Sequence, residues 1–111
     1  MRDEPGATRA PGSVGELVAN LASELPEATA ASTAGRVEWF RGRVPFAVVE
    51  GPTIEVRLDG PVAAAALRTP DTTASSRGAP WVRFAPGALD GHAVDRATAW
   101  FQLAYRRATP T

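Results

Sequence analysis

The chain has 111 residues, room for one domain and one modest hydrophobic core. Twelve basic side chains balance twelve acidic ones, and that neutrality argues against a dedicated binder of nucleic acid or anionic membrane, which needs clustered positive charge. The absence of Cys excludes disulfides, thiolate metal sites and Cys nucleophiles, and a single His excludes a His-rich metal centre.

Residues 1–12 contain two Pro-Gly pairs and almost no apolar side chain beyond Ala, the composition of a disordered tail. They hold no apolar signal-peptide core, and no apolar run in the chain approaches the roughly 18 residues of a membrane span. The cytoplasm is therefore the expected compartment. The expected domain runs over residues 13–108.

Ser13-Val14-Gly15-Glu16 is a capping-box pattern that opens a helix. Val14, Leu17, Val18, Leu21 and Leu25 follow as one apolar stripe, and Pro26 stops it. Residues 26–35, built of Pro, Ala, Thr, Ser and Gly, read as a connecting loop. Three strands come next, at 36–41, 44–50 and 53–58. Gly42 makes the first turn between them and Gly51-Pro52 the second. Ile54, Val56 and Leu58 alternate with Glu55 and Arg57, so one side of the sheet is buried and the other is at least partly wet.

Asp59-Gly60-Pro61 begins a short Ala-rich helix that Pro70 ends. Residues 69–80 form a polar connection long enough either to hide a short edge strand near 72–76 or to be a functional loop. Residues 81–85 are a strand. Asp90 caps a last helix over 91–107, with the stripe Val94, Ala97, Phe101 and Ala104 and with Arg106 and Arg107 at its negative end. The order defines an α+β fold: two layers, α-β3-α-β2-α, with a mostly antiparallel sheet and helices packed on one face.

Four segments carry a resemblance. Glu-Val-Arg-Leu at 55–58, the Ala/Leu helix, Trp-Val-Arg-Phe at 81–84 and Ala-Trp-Phe-Gln-Leu-Ala-Tyr at 99–105 are similar to the small luciferase-domain family. They are also similar to the MmcQ/YjbR and TfoX N-terminal domains. The resemblance implies the same two-layer fold, of secretion-chaperone type. It also implies an alternative activity, cofactor-free oxidation of an aromatic small molecule, with an Arg or His92 steadying an enolate. The closing dipeptide here is Ala104-Tyr105 where the luciferase domains have Ser-Tyr. The Lys- and His-rich segment of YjbR-type domains is absent, and that departure weakens a nucleic-acid reading of the resemblance.

Candidate chemistry falls in three places. The loop around Ser75, Ser76 and Arg77 is rich in hydroxyls and suits an anion held by backbone N–H groups and the Arg fork; a plain solvated loop is the other reading. His92 lies one turn from Asp95 and could act as a base, but the positive helix N-terminus disfavours its imidazolium, and a surface His is the favoured reading. A triad of Ser76 and His92 with Asp90 or Asp95 has no support in its spacing. Arg57 and Arg83 lie on strands, where they form either cross-strand ion pairs with Glu38 and Glu55 or a carboxylate-binding patch. All twelve cations are Arg, a bias expected of a GC-rich genome, so Arg content alone does not point to phosphate. The acidic residues show no metal-ligand spacing, and neither metal nor cofactor is implied.

The aromatic residues are too many for one small core face. Trp39 and Phe40 are adjacent on a strand and must point to opposite sides, and so must Trp81 and Val82. Trp39, Phe40, Phe46 and Trp81 are the expected interface residues. Ser75, Ser76, Arg77, His92, Arg57 and Arg83 are the expected ligand contacts. The leading functional expectation is a binding or partner-interaction module that dimerises with itself or meets a protein partner, with a small ligand at the 69–80 loop as a further option. Nucleic acid and membrane are not expected partners.

Overall fold

A computed structural model of the chain describes residues 12–109. The tail expected from the sequence falls, as far as residues 1–11 are concerned, outside the described residues. Ser13 caps the first helix, α1 (Val14–Ala22), its Oγ accepting from the Glu16 N–H at 3.1 Å. Glu16 in turn accepts from the Gly12 N–H at 2.6 Å, so the capping box closes one residue further back than its simplest form. Val14, Leu17, Val18 and Ala22 bury the expected stripe.

Six strands follow: β1 (Ala28–Thr33), β2 (Arg36–Arg41), β3 (Val44–Glu50), β4 (Thr53–Arg57), β5 (Thr72–Ala74) and β6 (Trp81–Phe84). Two more helices are placed among them, α2 (Gly60–Ala66) between β4 and β5 and α3 (Gly91–Arg107) after β6. The strands form one sheet in the order β1-β2-β3-β4-β6-β5, with every neighbouring pair antiparallel. This is the expected α+β class, a sheet with helices against it. Residues 72–74 supply the short edge strand, one of the two alternatives for the long connection.

The first half of the sheet holds one more strand than expected. The composition of residues 28–33 predicts a loop, because Ala, Ser and Thr alternate no apolar face. Instead they pair with β2 along their whole length, from Ala28 opposite Arg41 to Thr33 opposite Arg36. The connecting turn has positive φ at both central residues, Ala34 (50°) and Gly35 (81°). That is the type I′ geometry whose twist matches a hairpin. Ala tolerates it poorly and Asn well. Ala34→Asn is therefore expected to stabilise the chain by about 1 kcal/mol, seen as a higher thermal midpoint; an unchanged or lower midpoint would refute the turn assignment.

The register divides the sheet into two sides. Toward α1 and α3 point Trp39, Ala47, Val49, Ile54, Val56, Val82 and Phe84, which join the residues of α1 and α3 in the core. A β-bulge interrupts the β2–β3 register, so that Trp39 faces Ala47 while Phe40 faces Pro45. Phe46 is the extra residue, and it turns to the same side as Ala47. Its ring centroid lies 5.2 Å from that of Phe101 and 5.8 Å from that of Tyr105. The Tyr105 hydroxyl donates to the Pro26 carbonyl, and the Arg41 guanidinium lies over the Tyr105 ring. Arg107 at the end of α3 reaches Asp59 before α2 at 3.0 Å.

Candidate functional site

On the side of the sheet away from the helices, the registers align one row across every strand: Ala31, Glu38, Val48, Glu55, Arg83 and Thr73. A second, shorter lane holds Phe40 opposite Pro45, and Arg57 opposite Trp81. Val48 is buried on this side without belonging to the core under the helices. Phe40 and Trp81 are half-buried and also lie outside that core. The open side of the sheet is therefore partly apolar, as the adjacency of Trp39 with Phe40 and of Trp81 with Val82 requires.

Strand alternation divides the four expected interface residues into two pairs. Phe40 and Trp81 are on the open face. Phe46 is fully buried inside a single chain, because the bulge turns it toward α3, so it cannot line an outer surface. Trp39 also points toward the helices, its ring edge-on to Phe101 at 6.0 Å. Neither belongs to the open-face patch.

The expected anion loop already holds an anion, and it belongs to the chain. Ser75 Oγ donates to Glu55 Oε2 at 2.9 Å, and Arg77 Nε donates to Glu55 Oε1 at 2.8 Å. Ser75 Oγ also accepts from the Arg77 N–H at 3.0 Å, closing a local turn. The Glu55 side chain is only 16% exposed, so the pair is shielded from water more than a surface ion pair is. The Arg77 guanidinium carbon lies 5.5 Å from the Trp81 ring centroid. Ser75 and Arg77 are thus committed to Glu55, and only exposed Ser76 keeps a free position on this turn.

Arg57 and Arg83 do share the polar face with Glu38 and Glu55, but the expected cross-strand pairs do not form. Glu55 is taken by Arg77, and Glu38 lies 4.0 Å from Arg36. Among the described residues neither Arg57 nor Arg83 has an acidic partner within salt-bridge distance. His92 stands exposed at the start of α3, on the other layer, so the structure does not bring it to Ser75, Ser76, Arg57 or Arg83. Asp90 is occupied as the α3 cap, accepting from the Ala93 N–H at 2.9 Å. Among the described residues no three His, Asp or Glu side chains converge as metal ligands, and no helix is long and apolar enough to cross a membrane.

Among the described residues, open grooves flank the sheet at two places. One, of about 270 Å³, lies between the start of α1 and residues 86–89. The other, of about 240 Å³, lies between α2 and residues 79–82, lined by Ala63, Leu67, Ala74 and Pro80 among others. Neither lining includes an ionisable side chain. Sequence reasoning missed Glu55 as the tenant of the loop. The alternation of 53–58 puts it on the wet face, but only the β4–β6–β5 register brings Ser75 and Arg77 to it.

The protein is thus a two-layer α+β domain whose open sheet surface brings half-buried Phe40 and Trp81 together with Arg57 and Arg83. No family model matches the chain, and neither a curated protein nor a solved structure matches it.

Proposed function

We propose that the chain is a self-associating binding module whose contact surface is the open face of its sheet. The observation that carries this reading is the self-complementarity of that face. A two-fold axis along the strands, between β3 and β4, lays β2 over β6 of a second copy. Row positions are kept, so Glu38 meets Arg83 of the second copy and Phe40 meets its Trp81. Each contact occurs twice. Stacked sheets rotate by about 30° relative to each other, which displaces these pairs by about 4 Å, within the reach of an Arg side chain.

The alternative activity, oxidation of an aromatic small molecule, needs an apolar cavity with a convergent polar group. The open grooves without ionisable linings, and His92 on the far layer, favour the binding module over it.

The test is a charge exchange read by light scattering after size exclusion. The wild-type chain runs as a dimer. Arg83→Glu and Glu38→Arg each run as monomers, and the two together restore the dimer. A wild-type monomer at high chain concentration, or a double variant no better than the single ones, overturns the proposal.

A further inference from the structure

We propose that the outer edge of β1 is a docking site for an extended strand of a partner protein, one that carries bulky apolar side chains at every second position. Among the described residues β1 is the last strand of the sheet and pairs on one side only. Every residue from Thr29 to Thr33 is exposed. The segment Ala-Thr-Ala-Ala-Ser-Thr has no charge, no Pro and no bulge, so it carries none of the devices that blunt a free edge. The opposite edge, β5, is only three residues long, and the chain turns away from it at residues 76–78. The two edges are built differently: among the described residues only β1 presents an extended outward row of backbone groups, at Ala30, Ser32 and the Ala28 carbonyl, while the Ala28 N–H donates to the Leu25 carbonyl.

The choice of partner rests on the side chains along that row. Ala28, Ala30 and Ser32 lie on the helix side, yet Ala30 and Ser32 are exposed because α1 and α3 do not extend over β1. Next to Ala30 on β2 stands Trp39, half-buried, with its edge on Phe101. Small residues therefore form a step beside a taller aromatic wall. An added strand places its helix-side residues within about 5 Å of Ala28, Ala30 and Ser32. Val, Ile or Phe at those positions lean over the step and cover the rim of Trp39. A second copy pairing through β1 sets Ala and Ser against Ala and Ser, and leaves that rim uncovered. Such a contact buries too little apolar surface to offset the freedom lost on association. Main-chain hydrogen bonds then give attachment, and the alternate bulky side chains give selectivity. Because β1 carries no charge, the central residues of the partner strand are uncharged as well.

The probe is the peptide acetyl-Lys-Ile-Thr-Ile-Thr-Ile-Lys-amide, added to the full-length chain labelled with ¹⁵N. Amide shifts are expected along β1, with slowed hydrogen exchange at Ala30 and Ser32, whose N–H groups face the free edge, and neither effect at Phe40 or Trp81. The same peptide with Ala in place of each Ile should bind at least about tenfold more weakly. Ala30→Phe, a change at an exposed position that fills the step from the chain's own side, should also weaken binding. The proposal is overturned by shifts on the open sheet face instead of β1, by equal affinity for the Ala peptide, or by no binding. Protection of β1 that grows with chain concentration in the absence of peptide overturns it too, in favour of a second copy.

Discussion

Phe46→Ala is expected to lower the free energy of unfolding by about 3–5 kcal/mol, a large part of what a domain of this size possesses. The ring is wholly enclosed and packs on both Phe101 and Tyr105, so its removal leaves a void lined by α3 that the bulged strand cannot easily collapse into. Urea unfolding measures it. Phe40→Ala is the comparison, because Phe40 lies one strand away on the open face. That change should cost little stability and instead weaken self-association. A Phe46→Ala chain with an unchanged urea midpoint would mean that Phe46 is not a core residue.

Glu55→Ala is the second large effect, about 1–2 kcal/mol after allowance for partial exposure. It strands the buried Ser75 hydroxyl and leaves the Arg77 guanidinium without its acceptor. Glu55→Gln is informative because two donors converge on two carboxylate oxygens and an amide offers only one. It should fall between wild type and Glu55→Ala. Ser75→Ala should cost about 1 kcal/mol, since one hydroxyl serves both the carboxylate and the Arg77 N–H. Thermal unfolding of the three variants checks the order, and a Glu55→Gln chain as stable as wild type would show that the carboxylate is not holding the turn.

Most of the architecture is legible in the residue pattern. Three signals work for the same reason, that a local requirement coincides with the tertiary one. The Ser13 and Asp90 caps open helices where their side chains meet orphan backbone N–H groups. The 53–58 alternation matches a strand with one covered face. The helix over 91–107 has the observed bounds because Asp90 and the two terminal Arg residues mark both of its ends. β1 escapes because its order comes from β2 and the turn, not from its own composition. Its Ala, Ser and Thr residues have no apolar side to declare.

The candidate site is readable only in part. That Phe40 and Trp81 must leave the core can be deduced from strand alternation applied to neighbouring residues. That Phe46 must enter it cannot, because simple alternation does not anticipate the bulge beside it. The loop residues Ser75 and Arg77 are recognisable as an anion cradle, yet the anion proves to be Glu55, some twenty positions earlier in the chain. Long-range pairing of that kind depends on register, which residue types alone do not reveal.

The bulge also makes β3 tolerant in one place and brittle beyond it. With Phe46 removed, Pro45 would be joined directly to Ala47, and the strand would resume a plain pleat with every remaining side chain on its present side. Loss of Val48 would instead shift the phase of the rest of the strand and turn Val49 out of the core onto the open face. Phe46 thus behaves like a supernumerary link, whose loss costs a ring but keeps the weave intact.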